Sequence, residues 1–363
     1  MKRDYEVVIV GAGPSGLAAA KLCKDAGLSY IVFDQASAVA SIWATFWDSF
    51  RLGMPAKDLF MSGMEDLVKD FGDDAYLTRD EVFGLFQKYA AKHDLNIQLN
   101  TKVDTLEKQG AHFVAKTSIG IFTAKHLVMC IGPRQQAKFP ESSVPLWGHP
   151  SFLHSSQYQN LDGVSKDKPV FVAGSGLSAM SVAYDVREQG YDLELGCSAD
   201  DKKFKENNPQ IDEGFLAEYM PSHYAAVPNY GRLNYVTPET LTFNGKTVRV
   251  DDYSRIILAT GYTRVSLLYK HLDGENGFYR VGMEDRQYGE QTINEGARQA
   301  RIVVKDIRRA RHMMSTKQVL AAGVFGEFTK VVGRRGLSSC GFASDERRAR
   351  MAQEAKILEY GAS

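Results

Sequence analysis

Apolar residues in this chain fall into short runs that stop on glycine or on a single polar residue. Glu6-Val7-Val8-Ile9-Val10 and Val170-Phe171-Val172-Ala173 each lead straight into glycine, a pattern that predicts strands. Tyr30-Ile31-Val32-Phe33 closes on Asp34, and Tyr191-Asp192-Leu193-Glu194-Leu195 closes on Gly196-Cys197-Ser198. Two further runs, Leu127 to Gly132 and Ile256 to Tyr262, also meet a glycine and are expected to cross between two domains. Helical spacing marks Thr78 to His93 as an amphipathic helix, and Ile97 to Val128 reads as β structure. Phe278 to Gly282 reads as a strand, with a helix from about Gln291 to Arg311 and a charged helix from Asp345 to Glu359 after it.

The glycines that follow the first strands carry the candidate chemistry. Gly11-Ala12-Gly13-Pro14-Ser15-Gly16 and Gly174-Ser175-Gly176-Leu177-Ser178-Ala179 are both dinucleotide fingerprints in a strand-turn-helix setting. In such a turn the helix beyond points its unpaired N–H groups at a pyrophosphate. The expected fold is α/β, with two Rossmann-like dinucleotide-binding domains of the FAD/NAD(P)-binding, pyridine nucleotide reductase-like kind. The second is inserted in the first: residues 1–148 and 265–363 would bind FAD, and residues 149–264 NADPH. Asp34 follows the first glycines by about twenty residues, where a carboxylate can hold a ribose hydroxyl pair. No acid stands at the matching place in the second copy, which favours NADPH over NADH. Ser198, Lys202 and Lys203 could hold a 2′-phosphate there, although Asp200 and Asp201 beside the lysines could equally pair with them.

A length of 363 residues suits two domains, and 44 basic against 44 acidic residues give a net charge of zero. That balance recruits neither nucleic acid nor an anionic membrane, so a small-molecule partner is expected. The N-terminus enters a strand within a few residues and no apolar stretch approaches the ~20 residues of a membrane span, so a soluble cytoplasmic protein is expected. Cys23, Cys130, Cys197 and Cys340 are far apart in sequence, and the lack of any Cys-x-x-Cys argues against disulfide reduction.

With both fingerprints in place, the chain resembles the class B flavin-dependent monooxygenases, the flavin-containing monooxygenase and YUCCA-like group, over roughly residues 5 to 265. The resemblance rests on the two glycine motifs, Ser41-Ile42-Trp43 with Phe50-Arg51-Leu52 and Pro55 behind it, and the Ala-Thr-Gly-Tyr run at Ala259. Trp147-Gly148 with His154-Ser155-Ser156-Gln157-Tyr158 is similar to the family's linker motif. The chain departs from the pattern in its linker spacing, in Ala40-Ser41 where two glycines are usual, and in Gly53-Met54-Pro55 where many relatives carry an asparagine.

The resemblance implies that NADPH reduces the flavin and that dioxygen then forms a C4a-hydroperoxyflavin, which oxygenates a nitrogen, sulfur or carbonyl carbon centre in a dry pocket. The crossings at Gly132 and Gly261 are each expected beside a bound dinucleotide, and the resemblance places Trp43 against the flavin; the candidate catalytic residues are Arg51, which could hold a flavin carbonyl or a nicotinamide phosphate or be a surface cation, and His154, whose linker the family assigns to domain positioning and cofactor handling. A helix opening at Gln291-Thr292 could face the flavin's pyrimidine edge. An NADPH-dependent reductase serving ferredoxin, flavodoxin or a quinone, and a non-catalytic flavin-bound sensor, remain open. The tail from Gly323 is compatible with a lid, a homodimer arm or a cap.

Overall fold

The computed structural model describes residues 3–198, 212–219, 227–263, 268–283 and 293–321, with side chains in the last helix up to 311. Lys202, Lys203, Asp200, Asp201, Gln291, Thr292 and the tail from Gly323 lie outside the described residues. Residues 1–308 form one compact unit; in the remainder, the described residues 309–321 are helical.

The first sheet takes its strands from both ends of the unit. These are β1 (Arg3–Val10), β2 (Tyr30–Phe33), β3 (Ile97–Gln98), β4 (Val103–Gln109), β5 (His112–Thr117) and β6 (Gly120–Met129), in the order β3-β2-β1-β6-β5-β4. Following in chain order are β7 (Gln136–Ala137), β8 (Glu141–Ser142), β9 (Phe152–His154), β10 (Val170–Ala173) and β11 (Leu193–Gly196). A small antiparallel ribbon, β12 (Tyr235–Val236), β13 (Thr240–Thr242) and β14 (Thr247–Arg249), precedes β15 (Arg255–Leu258), β16 (Tyr262–Thr263) and β17 (Phe278–Arg280). β17 lies parallel to the end of β6, so the first sheet is closed by a strand from far along the chain.

The second sheet is wholly parallel, in the order β11-β10-β15-β9, and all its strands come from between β6 and β17. β2 and β10 are buried at every residue, which is why their sequences show no polar alternation. The α/β fold with two Rossmann-type sheets is the one the sequence predicts.

Helix α1 (Pro14–Asp25) follows β1; next come a single turn, α2 (Glu65–Val68), and α3 (Arg79–Lys92). α3 opens on a reciprocal cap, in which Thr78 accepts from the Glu81 N–H and Glu81 accepts from the Thr78 N–H. α4 (Leu177–Glu188) follows β10, and α5 (Glu213–Tyr219) and the long α6 (Ile293–Ala321) complete the helices among the described residues. One apolar cluster runs from Ile9 and Leu17 through Trp47 and Tyr158 to Val172 and Ala183, so the two sheets share a continuous core.

Candidate functional site

Each fingerprint is seated on the end of a crossing strand. The register that pairs Val10 with Met129 puts Gly11, at φ +105°, against Cys130, where a Cβ would overlap the Cys130 carbonyl oxygen. In the second sheet Ala173 pairs with Leu258, and a Cβ on Gly174, at φ +143°, would overlap the Ala259 carbonyl oxygen. Only glycine meets both demands, a positive φ and no side chain. The runs ending at Gly132 and Gly261 are therefore the floors of the two nucleotide turns, a relation that sequence spacing could not show.

The middle glycines differ in kind. Gly13 and Gly176 are the N-caps of α1 and α4, no side chain caps either helix, and a Cβ on either would meet no protein atom within 4 Å. Both helices thus open their first-turn N–H groups toward space bare of side chains, which fits a pyrophosphate. Pro14 takes the first helical position, where its missing donor costs nothing. A Cβ on Gly16 would overlap the Gly11 carbonyl oxygen, so that glycine serves the helix-to-strand contact itself. In the second copy Leu177 and Ser178 open α4, and Ala179 fits, buried, at the third position.

Asp34 is already engaged: its carboxylate accepts from the Ala12 N–H at 2.6 Å and the Ala36 N–H at 2.8 Å. It fastens the glycine turn to β2, and each oxygen keeps a lone pair for a ribose hydroxyl. The Ser15 hydroxyl fills the space that a side chain on Gly282 or Gly296 would need, which binds α1 to the end of β17 and the first turn of α6. Ser198 is exposed; its N–H donates to Ser175 Oγ at 2.9 Å, and the two hydroxyls lie 3.1 Å apart.

Aromatic residues crowd the segment after β2. Trp43 stacks on Phe46 with centroids 5.3 Å apart, Trp47 meets Phe50 edge to face at 5.3 Å, and the Trp43 Nε1 is buried without a partner. Ala40, which precedes this segment, holds a left-handed φ of 52° in the place where the family pattern has glycine. Arg51 donates to the Phe50 carbonyl at 3.2 Å and bridges Thr78 through its backbone.

This segment is tied to the second sheet by a set of polar contacts that sequence reasoning missed. Arg79 donates to the Phe46 carbonyl at 2.9 Å and pairs with Asp48 at 2.8 Å; the Asp48 N–H donates to the Gln159 carbonyl at 2.9 Å. Ser49 donates at 2.5 Å to the buried Asp185 of α4, which also accepts from Tyr158 and Gln189.

His154 is wholly buried. The Ser156 N–H donates to its Nδ1 at 3.1 Å, so Nδ1 is an acceptor and Nε2 carries the proton donated to the Gly261 carbonyl at 3.1 Å. With both nitrogens committed to protein atoms, the ring has none for proton exchange with a substrate. It holds β9 to the second crossing, the part of a positioning residue.

Burial, with the nearby Arg134 charge adding to it, pushes the imidazole down to about 4 from 6.5, against the bond to Gly261. The unfolded chain then binds the extra proton, so the stability from neutral His154 is complete above pH 6.5 and lost as pH falls to about 4. The loss is about 3 kcal/mol. His154→Gln, which can repeat both hydrogen bonds without titrating, should flatten that part of the urea-midpoint profile; an unchanged slope between pH 6.5 and 4 would contradict the assignment.

Burial pushes the Cys23 thiol up to about 12 and raises that of Cys130 as well, so neither supplies a thiolate. Among the described residues no group of His, Cys, Asp and Glu could hold a metal.

A family profile described as pyridine nucleotide-disulphide oxidoreductase matches residues 8–280, and the chain belongs to that family. It is 27% identical over 188 residues to an uncharacterized CzcO-like oxidoreductase of Geobacillus kaustophilus, covering 52% of this chain and 53% of that protein. It is 28% identical over 186 residues to a probable indole-3-pyruvate monooxygenase, YUCCA4, of Arabidopsis thaliana, covering 49% and 43%. These matches span about half the length of the curated relatives. In fold the chain is similar to the flavin-containing monooxygenase of Stenotrophomonas maltophilia, with a TM-score of 0.68 at 19% identity over 85% of this chain and 99% of that one. It is also similar to the bacillithiol disulfide reductase of Bacillus cereus, with a TM-score of 0.70 at 16% identity over 85% and 100%.

Proposed function

We propose that this member of the pyridine nucleotide-disulphide oxidoreductase family is an FAD- and NADPH-dependent monooxygenase of small organic molecules. The observation that carries the reading is the pair of uncapped helix N-termini at Gly13 and Gly176, each floored by a crossing strand, with the Trp43–Phe50 aromatic segment fastened between the two sheets. The similarity to YUCCA-like relatives supports oxygenation. FAD would occupy the cradle at Gly11–Gly16, in a domain assigned to residues 1–148 and 265–363, and NADPH the cradle at Gly174–Ala179, in a domain assigned to 149–264.

When bound, the flavin accepts two electrons from the nicotinamide and activates dioxygen. The chain's own part is to hold and exclude. The α1 and α4 N-termini neutralise pyrophosphate, Asp34 accepts from a ribose, and the Ser175 and Ser198 hydroxyls donate to a 2′-phosphate. The aromatic segment and the His154–Gly261 bond keep the crossings closed against water. Balanced charge, and the lack among described residues of a helix able to cross a membrane, support a cytoplasmic enzyme that takes a small molecule and dioxygen.

The test is anaerobic addition of NADPH to the purified protein, followed by oxygenated buffer with and without nucleophilic substrates. The flavin should bleach, then recolour, with substrate lowering the hydrogen peroxide released and raising oxygenated product in its place. Bleaching that is relieved quickly by an artificial electron acceptor and slowly by oxygen would make the protein a reductase; no bleaching would make it a sensor. Gly176→Ala should stay yellow yet be reduced about 10–100-fold more slowly at limiting NADPH, because its methyl group stands in the nucleotide's approach; unchanged reduction would refute the second site.

A further inference from the structure

The outward face of α6 carries Arg298, Arg301, Lys305 and Arg308, all exposed, while Ala297, Ala300, Val304 and Ile307 are buried beneath them. Glu295 takes up Arg298 at 2.6 Å. Arg301, Lys305 and Arg308 pair with no carboxylate among the described residues, so they form a basic stripe about 10 Å long. Ile302, next to Arg301 on the helix, is 48% exposed.

The segment that holds Phe60 is pinned along the same helix. The Phe60 N–H donates to Asn294 Oδ1 at 2.7 Å, Asn294 Nδ2 donates to the Asp58 carbonyl at 2.6 Å, and the Arg301 guanidinium lies 5.3 Å from the Phe60 ring centroid. The Phe60 ring is nevertheless 51% exposed. Beyond it the sign of the charge reverses. Lys57 pairs with Asp74 at 2.6 Å, and its N–H donates to the Asp73 carbonyl at 3.0 Å. Asp74 above all, with Asp58 and Asp212 adding to it, holds the Lys57 ammonium above its ordinary value. Asp58, Asp73 and Asp74 are all exposed, so one surface strip runs from acid through an apolar ring to base.

We infer that this strip is the contact surface between two copies of the chain. A two-fold axis passing close to Phe60 sets the acid end of each copy on the base end of the other and brings the two exposed rings together. The order of charges selects this occupant. A partner of one sign would be drawn to one end and repelled at the other, and an anionic membrane that reached Arg301 would also meet Asp58 and Asp74. A second copy supplies both signs in reversed order. The net charge of the chain is zero, so no long-range repulsion opposes the pairing. The inference concerns assembly alone and is independent of the redox chemistry.

Sedimentation equilibrium of the purified full chain from about 1 to 100 µM should show a species of twice the chain's mass, its dissociation constant rising about tenfold or more between low salt and about 0.5 M NaCl. Phe60→Lys brings like charges together at the axis and should weaken the dimer at least about tenfold. A chain that stays monomeric throughout this range at low salt would overturn the inference, as would a dimer indifferent to Phe60→Lys.

Reversing one end at a time gives the sharper test. Asp58→Lys with Asp74→Lys makes the strip basic throughout, and Lys305→Glu with Arg308→Glu makes it acidic throughout. Each double variant should be monomeric alone, and an equimolar mixture of the two should form a heterodimer, because both ends then meet an opposite charge. A mixture that remains monomeric, or either double variant still dimeric alone, would overturn the two-fold pairing. Flotation with phosphatidylserine–phosphatidylcholine vesicles forms the last arm. Binding by the wild type that is lost in Lys305→Glu with Arg308→Glu would assign the stripe to a membrane and overturn the inference. Should one reversal fail to fold, Phe60→Lys and the salt series still decide the matter.

Discussion

Alanine at Gly13 should give a chain that folds like the wild type and purifies without its yellow colour, while alanine at Gly16 should damage the fold itself. The contrast follows from what each added methyl group meets. At Gly13 it meets no protein atom, so the chain loses nothing, but it projects in front of the α1 N-terminus where a pyrophosphate must approach. Steric mismatch of one methyl group is worth about 1–3 kcal/mol, so flavin affinity should fall roughly 10–100-fold. At Gly16 the methyl group overlaps the Gly11 carbonyl oxygen, and Gly11 cannot retreat because Cys130 lies behind it.

Backbone against backbone leaves no rotamer to relax into, so Gly16→Ala should cost at least about 3 kcal/mol. Thermal melts with flavin quantified at 450 nm separate the two: Gly13→Ala should melt near the flavin-free wild type, and Gly16→Ala several degrees lower. A Gly13→Ala protein at full flavin occupancy would defeat the FAD assignment, and a stable Gly16→Ala protein would defeat the packing argument.

Asp185→Ala should be strongly destabilising, at about 1–3 kcal/mol. Asp185 is buried and receives Ser49, Tyr158 and Gln189, which come from the aromatic segment, the linker and its own helix. Deleting the carboxylate strands three donors, of which the Tyr158 hydroxyl is buried. Burial, with the Asp185 charge adding to it, also raises the Tyr158 hydroxyl above its ordinary value, which keeps that hydroxyl a donor. Asp185→Asn keeps an acceptor and should lose less, and Tyr158→Phe removes a single donor and should lose about 1 kcal/mol. Urea unfolding followed through Trp47, which is buried two residues from Ser49, reads the release of the segment directly. A loss under 1 kcal/mol in Asp185→Ala would show that the segment is held by apolar packing alone.

Arg134 and Asp185 were not legible in the chain, for the same reason. Each is a single charged residue with no local pattern, and its meaning comes from partners such as Phe46, Tyr262 and Ser49 that are distant in sequence. His154 was noticed, but its two nitrogens could be assigned only once Gly261 was beside it. Ala40 was legible as a departure from the family's glycines; that it keeps the left-handed backbone of the residue it replaces was not. Ser15 stood in the fingerprint as a cofactor contact; that its hydroxyl also lies beside Gly282 and Gly296 was not legible.

By itself the sequence determined the two strand-turn-helix units, the strands at Val10, Phe33 and Ala173, and the family to which the chain belongs. Those features are local: apolar runs, a glycine that alone accepts the turn, and a helix start are set by neighbours within about twenty residues. Tertiary structure alone decided that Cys130 and Ala259 floor the two turns, that a buried carboxylate fastens the aromatic segment, and that a cation stands between the crossings. Each of these depends on a desolvated polar group meeting a partner across the fold, and the strength of such a meeting is set by distance and burial, which no spacing along the chain records.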